Sequence, residues 1–291
     1  MTTIAAKKSR AGLRAAVKRR AFKAALAAAV LIVTLLYIYP VLLMVINAFK
    51  PFKEILTNVL ALPKTWAPEN FTYVMEKMNY FRLFANNVII TAIGITGIVV
   101  FSSMAAYILD RRKTPLTKFI HTFIITPMLI PFQTIMITLL KTMNIIHLSG
   151  SVWGLGIQYW GFGVPMAAFI FYNFMKTVPV EIDESAVIDG ASTLRTFRRI
   201  IFPLLKPVTA TVVVLDVMWI WNDFLLPLLM VNGSASTKTL VLCAYNFVGQ
   251  LNTKWHYALA AMVVSILPSV LFFAFLQKYI VKGVVAGSIK G

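Results

Sequence analysis

Charge is scarce in this sequence. Only 13% of its 291 residues are Asp, Glu, Lys or Arg, about half the ~25% usual in a soluble domain. That shortage excludes an ordinary water-soluble globule. Acids are scarcer still, 10 against 28 basic residues. Cys243 is the sole cysteine, so no internal disulfide forms. His121, His147 and His256 lie far apart with no cysteine near them, which argues against a metal site. The 14 glycines never fall into the G-x-x-x-x-G-K-[ST] spacing of a phosphate loop, so the chain does not hydrolyse ATP by itself. Short alternating strands are absent, which excludes a β-barrel.

What remains is apolar. Hydrophobic residues make up 59% of the chain, and runs of roughly 20 of them recur, the length that crosses a bilayer. The pattern predicts an all-α polytopic membrane protein with six transmembrane helices. The expected spans are Ala24–Ala48, Asn87–Leu109, Phe119–Leu140, Val152–Met175, Val208–Val231 and Tyr257–Ile280. Pro127 and Pro131 in the third, the glycines and Pro165 in the fourth, and Pro268 in the sixth predict kinked or loosened helices around a cavity. Residues 1–23 form a basic arm suited to anionic headgroups, read as an amphipathic helix rather than a signal peptide. No linker divides the rest, so 24–291 is one membrane domain.

Basic residues set the orientation. Twenty of the 28 fall before the first span, in 110–118, in 176–206 and after 277; eight fall in the alternate segments. The positive-inside rule then places both termini in the cytoplasm of a multi-pass membrane protein. The charge of +18 is explained this way, without nucleic acid. The segment between spans one and two is long and partly structured, ending in the aromatic stretch "YFRLF".

One polar segment interrupts the pattern: "DESAVIDGASTLRTFRRIIFPLLKP", from Asp183 to Pro207, on the cytoplasmic side. Thr177 is expected to cap a first helix with Pro179 in its opening turn and Glu181, Asp183 and Glu184 near its positive end. Gly190 breaks that helix. Ser192 is expected to cap a second, with Leu194, Phe197 and Ile201 in one apolar stripe. Pro203 and Pro207 end it. Such a stripe beside a glycine break suits docking of another protein; the plainer alternative is a solvated basic loop.

"ESAVIDGASTLRTFRRIIFP" resembles the signature loop of permease subunits of binding-protein-dependent ABC importers. That pattern is Glu-Ala-Ala, three residues, Gly, nine residues, Ile, one residue, Leu-Pro. Glu184, Ala186, Gly190, Ile200 and Pro203 fit it; Ser185 replaces an alanine and Phe202 a leucine. "WNDFLLPLLM" and the closing "GVVAGSIKG" are similar to the carbohydrate branch, in particular to the smaller maltose-type permease. The resemblance implies a prokaryotic cell membrane, a second related permease, two ATPase subunits and an extracytoplasmic sugar-binding protein. It implies no cofactor on this chain, with ATP and Mg on the ATPases. Glu184, Ala186, Asp189, Gly190, Ile200 and Pro203 would form the ATPase-coupling element within about 177–206, and the solute would be a carbohydrate moved by alternating access.

Asp216, Trp219, Asn222 and Asp223 in the fifth span are candidate solute-pathway residues. Asp216 and Asp223 stand seven apart, which on a helix is one face. Acids in a bilayer face a cavity or a partner, and a tryptophan beside carboxylates suits a sugar. The alternative is interhelical bonding or a salt bridge to the partner permease. Asn86, Asn87, Gln133 and Asn173 read as packing contacts, and Trp153, Tyr159 and Trp160 as an interfacial belt. Two rival classes are an ion-coupled secondary transporter, for which no repeat is visible, and a membrane-bound glycan-modifying enzyme, which needs convergent acids and bases.

Overall fold

The computed structural model describes residues 2–249 and 253–288, with side chains described over 18–249 and 253–278. In chain order the helices are α1 (Thr2–Ala48), α2 (Phe52–Thr57), α3 (Glu69–Met78), α4 (Tyr80–Arg111) and α5 (Pro115–Ile125). After a 3-10 turn at Thr126–Leu129 come α6 (Phe132–Ile145), α7 (Val152–Met175), α8 (Glu181–Ile188) and α9 (Thr193–Thr196). A π turn at Phe197–Ile201 leads to α10 (Phe202–Leu204), α11 (Lys206–Asn222), α12 (Leu225–Val231), α13 (Leu240–Tyr245) and α14 (Trp255–Ser288).

Among the described residues four helices are long and apolar enough to cross a bilayer, within α1, α4, α7 and α14. Two bent pairs bring the number to six when each counts as one span: Pro115–Leu129 with Phe132–Ile145, bent by 103°, and Thr193–Leu204 with Lys206–Asn222, bent by 76°. The fourth span has the expected bounds. The second starts at Tyr80, not Asn87, because Asn79 turns the chain in the left-handed region (φ 51°) and "YFRLF" is already helical. The third is broken rather than kinked. Ile130 is extended ahead of Pro131, as a residue before proline must be. The fifth does not run through to Val231: its helix stops at Asn222, and Asp223 is extended. α1 runs without interruption from Thr2, through the basic arm into the first span; side chains 1–17, which would decide the amphipathic reading, lie outside the described residues.

The centre is α4 against α7, running side by side in the same direction. Ile93 O accepts from Trp160 Nε1 at 2.8 Å, Val164 O from Ser102 Oγ at 3.3 Å, and Val178 O from an Arg111 guanidinium nitrogen at 3.0 Å. Small residues let the backbones approach. A methyl group on Gly97 would lie 2.1 Å from the Trp160 ring, and one on Gly163 would lie 2.3 Å from Ile98. The fourth-span glycines expected to loosen the helix therefore serve in part to pack it, except Gly161, which faces open space. Leu155, Tyr159, Phe171 and Met175 of α7 are fully enclosed here, together with Ile201 and Leu205 from the far side of the polar loop.

A second core joins the end of α1, α3, the start of α4 and α14, through Ala48, Val74, Met78, Leu83, Trp221 and Val264. The segment before α4 is folded onto it. Lys50 is fully buried and donates to Asn58 O (3.0 Å) and Val59 O (3.3 Å). Asn70 donates to Ala48 O and Lys50 O, and Tyr73 stacks on Tyr257 at 4.1 Å. Pro268 lies inside α14 and lacks the N–H that Val264 O would normally receive. Tyr80 Oη donates to that carbonyl at 3.3 Å, and Trp221 Nε1 donates to the neighbouring Ser265 O at 3.2 Å. The remaining polar residues divide. Asn86 and Asn87 tie α4 to Ser236, Lys238 and Leu240. Asn173 instead bonds Phe169 in its own helix, and Gln133 is exposed.

Gly97→Ala is expected to destabilise the protein by about 1–3 kcal/mol, since the Trp160 ring cannot yield without losing its bond to Ile93. Gly161→Ala should be neutral. Thermal unfolding of the two variants in the same detergent checks the difference.

Candidate functional site

The polar loop folds as helix, glycine turn, helix. Gly190 has φ +74°, the left-handed conformation in which a Cβ is costly. Gly190 N donates to Val187 O and Ala191 N to Ala186 O, closing the end of α8. Two expected caps differ. Thr177 does not start the first helix; its hydroxyl donates to Phe174 O and closes α7, while α8 begins at Glu181. Ser192 occupies the position before α9 but makes no side-chain cap. Pro203 does not end the second helix either; the chain bends at Leu205, and Pro207 lies in the first turn of α11.

The apolar stripe points the other way from expectation. Phe197 and Ile201 are buried in the chain's own core, and only Leu194 of the three is exposed. The exposed apolar residues are instead Val187 (66%) and Ile188 (85%), one turn beyond exposed Glu184. At i, i+3 and i+4 these three share one face. Asp189, Gly190 and Pro203 are exposed, Ile200 is half-buried, and Ala186 is buried against the body. Pattern reading missed the fastening of α8. Tyr107 Oη donates to Asp183 Oδ1 (2.6 Å), Arg111 Nε donates to Asp183 Oδ2 (2.9 Å), and Arg111 also pairs with Asp110. Asp183 was legible only as an acid in a first helical turn.

A second site lies where the break in the third span meets the end of α11. Phe132 opens α6 just after that break, and Asp223 is the extended residue that ends α11 ahead of α12. With Phe162, Trp219, Leu225 and Leu226 they line a cavity of about 210 Å³. Asp223 Oδ2 accepts from Tyr159 Oη at 2.9 Å, and its Oδ1 accepts from Leu225 N at 3.1 Å, so the carboxylate holds the start of α12. Trp219 stands edge-on to Tyr159, with centroids 5.3 Å apart. Tyr159 is fully buried and Trp160 is bonded into α4, so of the expected aromatic belt only Trp153 is freely exposed.

The other candidates of the fifth span lie elsewhere. Asp216 does not share a helical face with Asp223, which is beyond the helix end. It is buried on α11 and accepts no hydrogen bond among the described residues. Asn222 donates to Met218 O in its own helix and accepts from Ser269 of α14.

An all-helical bundle with a broken span opening on a cavity, and an exposed helix–turn–helix at the end of its packed core, suits a membrane transport component. Residues 98–286 match the family described as binding-protein-dependent transport system inner membrane component. The chain belongs to that family, a multi-pass component of the bacterial inner membrane. It is 40% identical over 261 residues to the probable starch degradation products transport system permease protein AmyC of Thermoanaerobacterium thermosulfurigenes, covering 89% of this chain and 94% of that one. It is 33% identical over 259 residues to the multiple sugar-binding transport system permease protein MsmG of Streptococcus mutans, covering 88% and 93%. It is 32% identical over 255 residues to the melibiose/raffinose/stachyose import permease protein MelC of Bacillus subtilis, covering 84% and 92%. Its fold matches a chain of a bacterial ABC transporter involved in the import of alginate, with TM-score 0.78 at 20% identity, over 89% of this chain and 96% of that one.

Tyr159→Phe removes a donor to a half-buried carboxylate and is expected to cost about 1.5–3 kcal/mol, the value of a hydrogen bond to a charged group. Asp223→Asn keeps an acceptor for Leu225 N and should unfold near the wild-type temperature, yet show reduced uptake per assembled complex. Calorimetry together with proteoliposome uptake separates the two effects.

Proposed function

We propose that this chain is the permease subunit of an ATP-driven importer for an oligosaccharide, supplied by an extracytoplasmic binding protein and powered by two separate ATPase subunits. A second, related permease completes the pathway. The observation that carries the reading is the exposed face Glu184–Val187–Ile188 on α8, set by the Gly190 turn in the signature spacing. Two apolar side chains beside one acid form a small contact surface that a partner covers. Glu184 is the charge contact; Asp189 and Gly190 set the turn; Ile200 and Pro203 belong to the second arm; Ala186 seats α8 on the body.

The solute class follows from the relatives and from the cavity. Their names speak of starch degradation products, multiple sugars, and melibiose, raffinose or stachyose. These differ in linkage and agree in being sugars, mostly of more than one unit. Trp219, Phe132 and Phe162 offer ring faces to pyranose C–H groups, and Asp223 offers an acceptor to hydroxyls. Discontinuous helices meeting at such a place are a recurrent way to line a solute site in membranes. Asp216 and Asn222 bias the neighbouring helix contacts, and the partner permease shares the solute. Closure of the ATPases on ATP then draws the α8 faces together and opens the opposite side, a coupling between distant sites.

Orientation completes the proposal: 110–118 and 176–206 face the cytoplasm, and 50–79 and 232–254 face outward. Both termini are cytoplasmic; residues 289–291 lie outside the described residues.

Two measurements test this. In the reconstituted complex, Glu184→Lys and Gly190→Pro are expected to insert normally and to lower ATP-driven uptake of labelled maltotetraose, or of raffinose as comparison, by about tenfold or more, equivalent to ~1.4 kcal/mol or more of lost coupling. Unchanged uptake in both would refute the docking face. Single cysteines at exposed Thr65, Thr114 and Ser192, with Cys243 replaced, test sidedness. An impermeant reagent added to intact cells should label only position 65.

A further inference from the structure

The docking helix is fastened to the bundle at one polar point. Along α8, Glu181, Glu184, Ser185, Val187 and Ile188 face outward, and only Ile182, Asp183 and Ala186 turn toward the chain. Asp183 is the one charged group among these three. Its side chain is 14% exposed and Arg111's is 10% exposed, so the pair is shielded from water. Both carboxylate oxygens are used, one by Tyr107 Oη at 2.6 Å and one by Arg111 Nε at 2.9 Å. Arg111 spends its other nitrogens on Asp110 (2.6 Å) and on Val178 O (3.0 Å), the backbone between α7 and α8. Planar guanidinium and carboxylate groups joined in this way fix direction as well as distance.

Tyr107 reaches both arms of the loop. Its hydroxyl holds α8 through Asp183, and its ring packs on Phe197, at the start of the π turn, with centroids 5.4 Å apart. The π turn marks the second arm as the irregular one: five residues wound with i to i+5 bonding, followed by the 76° bend into α11. The first arm is thus clamped to the end of α4, while the second leads through the π turn into α11 and the Asp223 break.

We propose that Asp183 is a positioning residue, clamped by Tyr107 and Arg111, that makes α8 move with α4 and α7 when the loop is pulled. The inference rests on the reading of α8 as the docking helix, and it adds the element that converts docking into movement of the bundle. Without the clamp α8 would still present Glu184, Val187 and Ile188, and so would still bind, but would swivel about Gly190 instead of carrying α4 with it.

Asp183→Asn tests this in the assembled complex. Arg111 keeps Asp110 as its counter-charge in that variant, so the buried cation is not left unpaired. The expected result is capture of ATPase subunits at wild-type stoichiometry, with a roughly tenfold loss in the stimulation of ATP hydrolysis by solute-loaded binding protein. Tyr107→Phe keeps the ring and removes one bond, so it should give a smaller loss in the same direction. Adding Tyr107→Phe to Asp183→Asn should cost less than the two single losses combined, because asparagine has one acceptor oxygen and cannot serve both Tyr107 and Arg111. Asp183→Glu should restore part of the stimulation.

Wild-type stimulation in Asp183→Asn would overturn the proposal, as would fully additive losses. Loss of assembly with normal stimulation per remaining complex would overturn it too, since that is a purely structural role. Should Asp183→Asn fail to insert, Tyr107→Phe decides: full assembly with unaltered stimulation sinks the clamp. A distinct result, ATPase capture unaffected by Glu184→Lys, would count against the docking reading and not against the clamp.

Discussion

Lipid offers no hydrogen bonds, and this chain is organised around that fact. Two interruptions of its helices, at Pro268 and at Asp223, have side chains assigned to them. Pro268 deprives Val264 O of its helical donor, and Tyr80 supplies one from α4. Trp221 supplies another to Ser265 O from α11. At the end of α11 the backbone turns extended, and Asp223 receives Leu225 N. The same tyrosine, tryptophan and aspartate contacts join different helices, so repair of the backbone and assembly of the bundle are one operation.

Close packing does in this setting what the hydrophobic effect does in water. The α4–α7 seam depends on absent side chains at Gly97 and Gly163 and on bulky ones, Trp160 and Ile98, that fill the space. That pairing places Tyr159 opposite Trp219 and Asp223, and it brings Arg111 to the start of the loop. Both candidate sites therefore hang from one rigid pair of helices. The Asp183 clamp and the Tyr159–Asp223 bond lie toward opposite ends of it.

Much of this was visible in the residue order. Hydropathy located the four long apolar helices, and Val152–Met175 matched to the residue because Ser151 caps it, its hydroxyl accepting from Gly154 N. The loop spacing led to the family, and Gly190 has the backbone conformation that spacing called for. What pattern could not carry was direction. Phe197 and Ile201 form a stripe whether they face a partner or the core, and only tertiary packing shows that they face inward. Heptad spacing put Asp216 and Asp223 on one face, but that arithmetic holds only while the helix continues. Composition likewise grouped Tyr159 with Trp153, though one is fully enclosed and the other 65% exposed. Asp183 and Arg111 are 72 residues apart, and no local rule pairs them.

The first helix has a consequence for the order in which the molecule is built. From Leu26 to Leu42 its apolar side chains are exposed all round, and its firm contacts come at its end, through Ala48, Asn47 and Lys50. Those contacts belong to a core completed by α14, whose Tyr257 stacks on Tyr73 and whose Val264 receives Tyr80, 184 residues away in sequence. The apolar length of α1 must wait in the bilayer, unpacked, until α14 arrives. Insertion of α1 and closure of this core are thus separated by the synthesis of everything that lies between them.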